Sequence, residues 1–289
     1  MANNKPQQEA AYLCVTCGTQ YVASPEPPAA CAICCDSRQF VGLDGQKWTT
    51  LQELRAKHTN AFVLEEPGIH SIHTEPAFGI GERAFLIQTP RMNILWDCIS
   101  LINERTILKV RELGGVDAIA ISHPHYYTTM VEWSVAFGNV PIYIHEADRK
   151  WVQRPHPNVR FWAGETWKLG DGPMLIHTPG HFDGYQVLLW EGGAAEEGAL
   201  FCGDQPQVCM DIHWLSFMYS YPNYIPLSPQ TVNKILRTLE PLKFDRMYGA
   251  FPKRTVWHNA KEILRASAER FLRAISDEGA AEAATANAI

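Results

Sequence analysis

Ser122-His123-Pro124-His125-Tyr126-Tyr127-Thr128 is the stretch on which the reading of this sequence turns. It follows the apolar run Val116 to Ile121, which has the length and composition of a buried strand, and it precedes a helical pattern from Met130 to Phe137. Two histidines one residue apart at a strand-to-helix turn can aim both imidazoles at one point. That is a metal-ligand arrangement, provided further ligands arrive from elsewhere.

Candidates for those ligands lie downstream. His181 follows the strand-like Met174 to His177 and a Thr178-Pro179-Gly180 turn, and Asp204 follows the apolar run Ala199 to Cys202 and Gly203. Each sits where a strand gives way to a loop, as His123 and His125 do. The elements between them mix hairpins with helical crossovers: strands at Ala84–Gln88 and Asn93–Asp97 around a turn, a helix from Glu104 to Leu113 ended by Gly114-Gly115, a strand at Pro141–His145, a helix near Glu146–Val152, and later helices at Pro229–Leu239 and Asn259–Ile275. This is a layered α/β pattern, at one edge of which the four residues can converge. Three imidazoles and a carboxylate suit zinc, iron or manganese.

The series Asp97, His123-x-His125, Pro179-Gly180-His181 and Gly203-Asp204, spread over roughly residues 60–275, resembles the metallo-β-lactamase superfamily, with the motifs in that family's order. The resemblance implies an αββα metallo-β-lactamase sandwich with a metal site at one edge. It also exposes departures. The family's common pattern is His-x-His-x-Asp-His, whose last two residues serve a second metal; here Tyr127 and Thr128 stand in those places. No histidine occurs near Arg246 to Phe251, where the family's late histidine is expected, and His258 lies further on at a helix start. The expectation is a mononuclear centre of His123, His125 and His181, with Asp204 as fourth ligand or a close outer partner. One Zn2+ there brings the pKa of its water to about 7. Asp204 would hold or deprotonate that water, and the Tyr127 hydroxyl would donate to an oxyanion; packing over the metal is the other reading of Tyr127. Iron in the same place would leave positions open for dioxygen.

A second metal module is expected near the N-terminus. Cys14-Val-Thr-Cys17 and Cys31-Ala-Ile-Cys34 are two Cys-x-x-Cys pairs around a Pro-rich loop, Ala23 to Ala30. Two such knuckles complete a tetrahedral thiolate site, and the pattern resembles a zinc ribbon or rubredoxin pair holding Zn2+ or Fe. Four unligated thiols would leave so short a segment with little core. Cys35 is out of knuckle register and reads as a bystander, and Cys98, Cys202 and Cys209 as core or loop residues. The domain reading is therefore disordered residues 1–10, a four-cysteine module at 11–46, a connecting helix within 47–59 with capping-box spacing between Thr50 and Glu53, the main domain at 60–276, and a disordered tail at 277–289.

Other polar residues compete for roles. His70, His73 and Glu75 fall on a Gly- and Pro-punctuated segment read as a loop that can cover the site, which makes His73 and Glu75 substrate-binding candidates. His145 ends a strand and His213 lies beside Trp214 after the Asp204 loop; both are carried as substrate-facing, against the plainer reading of His145 as a hydrogen-bonded core residue. Asp97 suits a hydrogen bond to the ligand loops. The aromatic run Ser216 to Leu227 reads as an apolar substrate wall, a homodimer surface or a packed loop.

Composition narrows the function. The chain has 289 residues, 46% hydrophobic, a net charge of -6 and eight cysteines, with no basic cluster and no apolar run near ~18 residues. Nucleic acid and membrane partners are not expected, and neither is a signal segment; the expected compartment is the cytoplasm, where clustered thiols bind metal rather than pair. The leading function is a zinc hydrolase acting on a small ester, lactone, thioester or phosphoester. The alternatives are an iron-dependent oxidation, of the sulfur-dioxygenase or rubredoxin-linked kind found in the superfamily, and a non-catalytic metal-binding interaction protein.

Overall fold

In the computed structural model, residues 9–276 are described, and the chain divides after Trp162 into two compact units. The expected disordered ends, 1–10 and 277–289, lie outside the described residues except for residues 9 and 10; Ala10 forms a two-bond β-bridge with Ser24.

The first unit begins with the cysteine-bearing segment. Its strand β1 (Tyr12–Cys14) pairs antiparallel with β2 (Trp48–Thr50), so the two ends of the segment close on each other. Helix α1 (Leu51–Lys57) follows at once, with the full capping box: the Thr50 side chain accepts from the Glu53 N–H and the Glu53 side chain from the Thr50 N–H.

Seven strands then form one sheet, in sequence order: β3 (Thr59–Glu66), β4 (Ile69–Glu75), β5 (Arg83–Gln88), β6 (Asn93–Trp96), β7 (Ala118–Ala120), β8 (Ile142–His145) and β9 (Val159–Trp162). β3 to β6 are an antiparallel meander, and β6 to β9 run parallel. The parallel half needs crossovers, supplied by α2 (Glu104–Glu112), α3 (Met130–Ala136) and two 3-10 turns at Pro124–Tyr126 and Glu146–Trp151. β7 lies between two parallel neighbours, so Ala118, Ile119 and Ala120 are buried on both faces, as a short unbroken apolar run should be. The strand is shorter than the Val116–Ile121 run; just before it, the Asp117 carboxylate accepts the Asn93 N–H (2.7 Å).

One expectation is corrected here. His70, His73 and Glu75 are not on a loop: they belong to β4, paired on one side with β3 and on the other with β5. Ile69, Ser71 and Ile72 are buried, and the Gly and Pro signals belong to the segment after the strand, Pro76 to Gly81. Paired backbone on both sides outweighs the modest strand propensity of His, Ser and Glu.

The second unit is built on a six-stranded sheet. β10 (Thr166–Lys168), β11 (Met174–His177), β12 (Gln186–Trp190) and β13 (Ala199–Gly203) are antiparallel neighbours. Two small ribbons intervene, β14 (Gln207–Val208) with β15 (Leu215–Ser216) and β16 (Met218–Ser220) with β17 (Ile225–Pro226). β18 (Arg246–Gly249) then pairs parallel with β13, and β19 (Thr255–Val256) closes the sheet. Between β17 and β18 runs α4 (Pro229–Leu239), capped by Ser228 with Pro229 at its first turn; α5 (Ala260–Ala274) ends the described chain. Among the described residues, no helix is long and apolar enough to cross a membrane.

Candidate metal centres

The His-Pro-His turn is held by its neighbours rather than by its own propensity. Asp97, at the end of β6, adopts a left-handed backbone (φ 61°) and accepts the Ser122 N–H on Oδ1 at 2.7 Å. His123 stands at the start of the 3-10 turn Pro124–Tyr126, its carbonyl accepting the Tyr126 N–H (3.1 Å), and the proline that follows is pre-set for that geometry. His125 rides inside the turn, its ring 4.9 Å from that of His123. The Ser122 hydroxyl lies 2.9 Å from His123 Nδ1, which leaves the buried Nε2 as the ligand atom. Burial, reinforced by the Arg38 charge, pushes the His123 pKa well below its ordinary value and keeps the ring neutral, the form a metal binds. Behind the turn, Thr129 Oγ1 donates to Ser100 O (2.9 Å) and Trp133 Nε1 to Ile99 O (2.9 Å), so α3 starts from a fixed point.

In the second unit, His181 ends a tight turn after β11. Its Nδ1 donates to Tyr219 O at 2.9 Å, which leaves Nε2 as the ligand atom. The Gln205 carboxamide accepts the His181 N–H and donates to Thr178 O, clamping both ends of the Thr178-Pro179-Gly180 turn. A Cβ at Gly180 would collide with that same carboxamide and displace the clamp. Asp204 follows β13. Its N–H and that of Gln205 both donate to the Tyr185 hydroxyl (2.7 and 2.8 Å), which donates in turn to Cys202 O (2.6 Å). Tyr221 donates to Asp204 O (2.8 Å), and Gln207 Nε2 to Asp204 Oδ1 (2.9 Å). Gln205, Tyr185, Tyr221 and Ser122 were not singled out as supports of the ligands; the available signals were that Gln205 directly follows a ligand-type aspartate, Ser122 directly precedes His123, and Tyr221 lies in the aromatic run Ser216 to Leu227.

His123 and His125 in the first unit and His181 and Asp204 in the second are the residues of one candidate metal group, and each is at most 4% exposed. Cys14, Cys17, Cys31 and Cys34 form a second such group, each at most 2% exposed. In it the Cys14 and Cys34 sulfurs, and those of Cys17 and Cys31, are 3.6 Å apart. The knuckles close through Gly18 N–H to Cys14 O (2.8 Å) and Cys35 N–H to Cys31 O (3.0 Å), and Gln46 Nε2 donates to Cys14 Sγ (3.2 Å). Hydrogen bonds from Cys17, Cys31 and Cys34 hold the Cys14 thiol below its ordinary pKa, while those with Cys14, Cys31 and Cys34, and burial, push Cys17 up, so four thiols cannot all ionise without a cation among them. Cys35 is exposed and outside the group.

The remaining candidates are not drawn into either group. His73 Nε2 lies 3.2 Å from Glu75 Oε1 on β4. His145 is buried edge-on against Trp162, ring centroids 4.7 Å apart, and its Nδ1 accepts the Ala147 N–H. The His213 side chain is 77% exposed and pairs with Asp211. Tyr127 is 2% exposed, its hydroxyl has no hydrogen-bond partner among the described residues, and burial followed by the Asp148 charge raises its pKa well above the usual value. The Thr128 carbonyl accepts the Gln20 N–H (3.1 Å).

No protein-family profile matches the chain. Its fold is that of metallo-β-lactamases. It superposes on a Cronobacter sakazakii metallo-β-lactamase with a HARLDQ motif at TM-score 0.53 and 15% identity, covering 80% of this chain and 99% of the other. The VMB-1 structure gives 0.55 and 12%, covering 75% and 98%. A B3 metallo-β-lactamase described as having an active-site glutamic acid gives 0.51 and 18%, covering 78% and 91%. A relative described as "Uncharacterized protein YmaE", from Bacillus subtilis (strain 168), is 47% identical over 269 residues, 92% of this chain and 97% of its own. With identity of that order over nearly the whole of both sequences, the chain belongs to the family of Bacillus subtilis YmaE.

Proposed function

We propose that this protein is a metallo-hydrolase with one catalytic metal, Zn2+, at His123, His125, His181 and Asp204, and a structural metal at the four cysteines. The observation that carries the reading is the pair of buried ligand groups, one of three imidazoles and a carboxylate, the other of four thiols. The first donor set suits a hydrolytic zinc; the second suits a closed tetrahedral site. A divalent metal in the first set supplies Lewis acidity, polarising a carbonyl or phosphoryl oxygen and acidifying water.

The chain's own residues do the rest. The Ser122 and Tyr219 contacts orient His123 and His181. Gln207 holds one Asp204 oxygen, so the carboxylate is aimed and can take a proton from an attacking water. Tyr127 stays protonated at any working pH, which makes its hydroxyl a donor to the oxygen on which charge develops in an ester, lactone, thioester or phosphoester. With Tyr127 and Thr128 in place of second-metal ligands, this neutral donor stands in for the missing electrophile. His73, Glu75, His145 and His213 are secondary candidates for substrate contact.

Metal analysis of protein purified without oxygen tests the proposal. Two zinc ions per chain are expected, falling to one in His123→Ala, together with hydrolysis of a small ester or thioester that is lost in Asp204→Ala. Iron in the histidine group would replace hydrolysis by oxygen chemistry, and metal at the cysteines alone would end the enzymatic reading.

A further inference from the structure

We infer that the four-cysteine module is a positioning element of the histidine centre, acting through Gly18, Gln20 and Ser100, so that metal among the thiolates strengthens metal binding at His123 and His125. The inference rests on the reading above that both groups hold metal.

The path is short and made of direct contacts within one unit of the chain. Cys17 leads directly into Gly18, Thr19 and Gln20. This turn is tied back to the first knuckle by Gly18 N–H to Cys14 O (2.8 Å) and by Cys14 N–H to Thr19 O (3.0 Å). The Gly18 carbonyl accepts from Ser100 Oγ (3.1 Å), and the Gln20 N–H donates to Thr128 O (3.1 Å). Thr128 ends the heptapeptide, three residues after His125. Ser100 is also the residue whose carbonyl anchors Thr129. The Gln20 side chain reaches Glu132 on α3 (3.2 Å), which accepts from Arg154 (2.7 Å). The histidine turn is thus gripped on its C-terminal side by the residues that leave the first knuckle.

The fit leaves no slack. Gly18 has φ +78°, and a Cβ there would collide with Ser100 Oγ and touch Thr128 Cγ2 at 3.5 Å. The module around it is small: its buried cluster is the four cysteines with Tyr21 and Ile33, backed by Trp48, Ile80 and Trp151. Four of its six buried residues are the cysteines, so its shape depends on what binds their sulfurs. Emptying it frees the Gly18–Gln20 turn and with it Thr128. By linkage, metal at the histidines tightens the thiolate site by the same factor.

Cobalt titration of the metal-free full-length protein separates the two sites, because thiolate-bound Co2+ gives intense charge-transfer absorption and imidazole–carboxylate Co2+ only weak visible bands. The variants are Gly18→Ala, Ser100→Ala and Gly18→Ala with Ser100→Gly; all keep every ligand. Gly18→Ala is expected to keep the charge-transfer band and to weaken the visible-band site by roughly tenfold or more, the scale of losing an outer support of a ligand. Ser100→Ala shows the same effect in smaller degree, and Ser100→Gly restores part of the affinity by returning the space. A module that merely adds stability would lower the melting temperature and leave the visible-band affinity unchanged, and that result overturns the inference. If Gly18→Ala does not fold, Ser100→Ala decides by the same readout. Absence of the visible bands in the unmodified protein would overturn the metal reading itself and the inference with it, an outcome distinct from an unchanged affinity.

Discussion

Gln205 offers the sharpest test of how the second half of the histidine centre is built. It is fully buried, and its carboxamide makes two bonds that nothing else replaces, one to the His181 N–H and one to Thr178 O. Gln205→Ala leaves a buried donor and a buried acceptor orphaned, each costing about 1–3 kcal/mol. Relaxation recovers part of the sum, so a net loss of roughly 2–4 kcal/mol is expected. At about 2–4 °C per kcal/mol, that lowers Tm by roughly 4–16 °C. Gln205→Glu discriminates further. As a carboxylate it still accepts from His181 but sets an oxygen against the Thr178 carbonyl; as a neutral acid it donates there and rebuilds the pair. Burial raises the pKa of such an acid, so the Glu variant's deficit should shrink as pH falls from about 8 to about 5. Thermal unfolding at matched metal content, with metal affinity measured beside it, checks both variants. An alanine variant within about 0.5 kcal/mol of the parent, or a Glu variant whose deficit ignores pH, would refute the clamp.

Three further outcomes follow from the same contacts. Asp97→Ala orphans the Ser122 N–H and puts alanine at φ 61°, so a loss of about 2–3 kcal/mol is expected in chemical denaturation, whereas Asp97→Asn keeps an acceptor and tolerates the backbone, losing less than half as much. Tyr127→Phe should reduce the hydrolytic rate by about 100-fold while leaving stability equal or up to about 1 kcal/mol higher, because the hydroxyl it removes is buried without a partner; an unchanged rate would reassign Tyr127 to packing. In metal-free protein, burial and the Arg38 charge hold the His123 pKa below 6.5, so the unfolded chain takes up a proton below about pH 6.5 that the folded chain does not. Stability is therefore complete above that pH and falls as pH drops through it, and His123→Asn should flatten the slope between about pH 6.5 and 5.

What the sequence determined by itself is the chemistry: which residues are ligand types and how the cysteines pair into knuckles, with Tyr127 and Thr128 standing where the metallo-β-lactamase pattern it resembles has Asp and His. It also determined the local elements, the α1 capping box and the β5–β6 hairpin among them, since these depend on groups within a few residues of one another. The tertiary structure decided what holds the ligands. His181 meets a carbonyl 38 residues away and a carboxamide 24 away, and Gly18 meets Ser100 across 82 residues. No periodicity or capping rule reaches that far, because such bonds exist only once the sheets have set their registers. The same reason turned His70, His73 and Glu75 from a lid-like loop into a strand: pairing with β3 and β5 is a property of three segments together, and a single-segment propensity does not contain it.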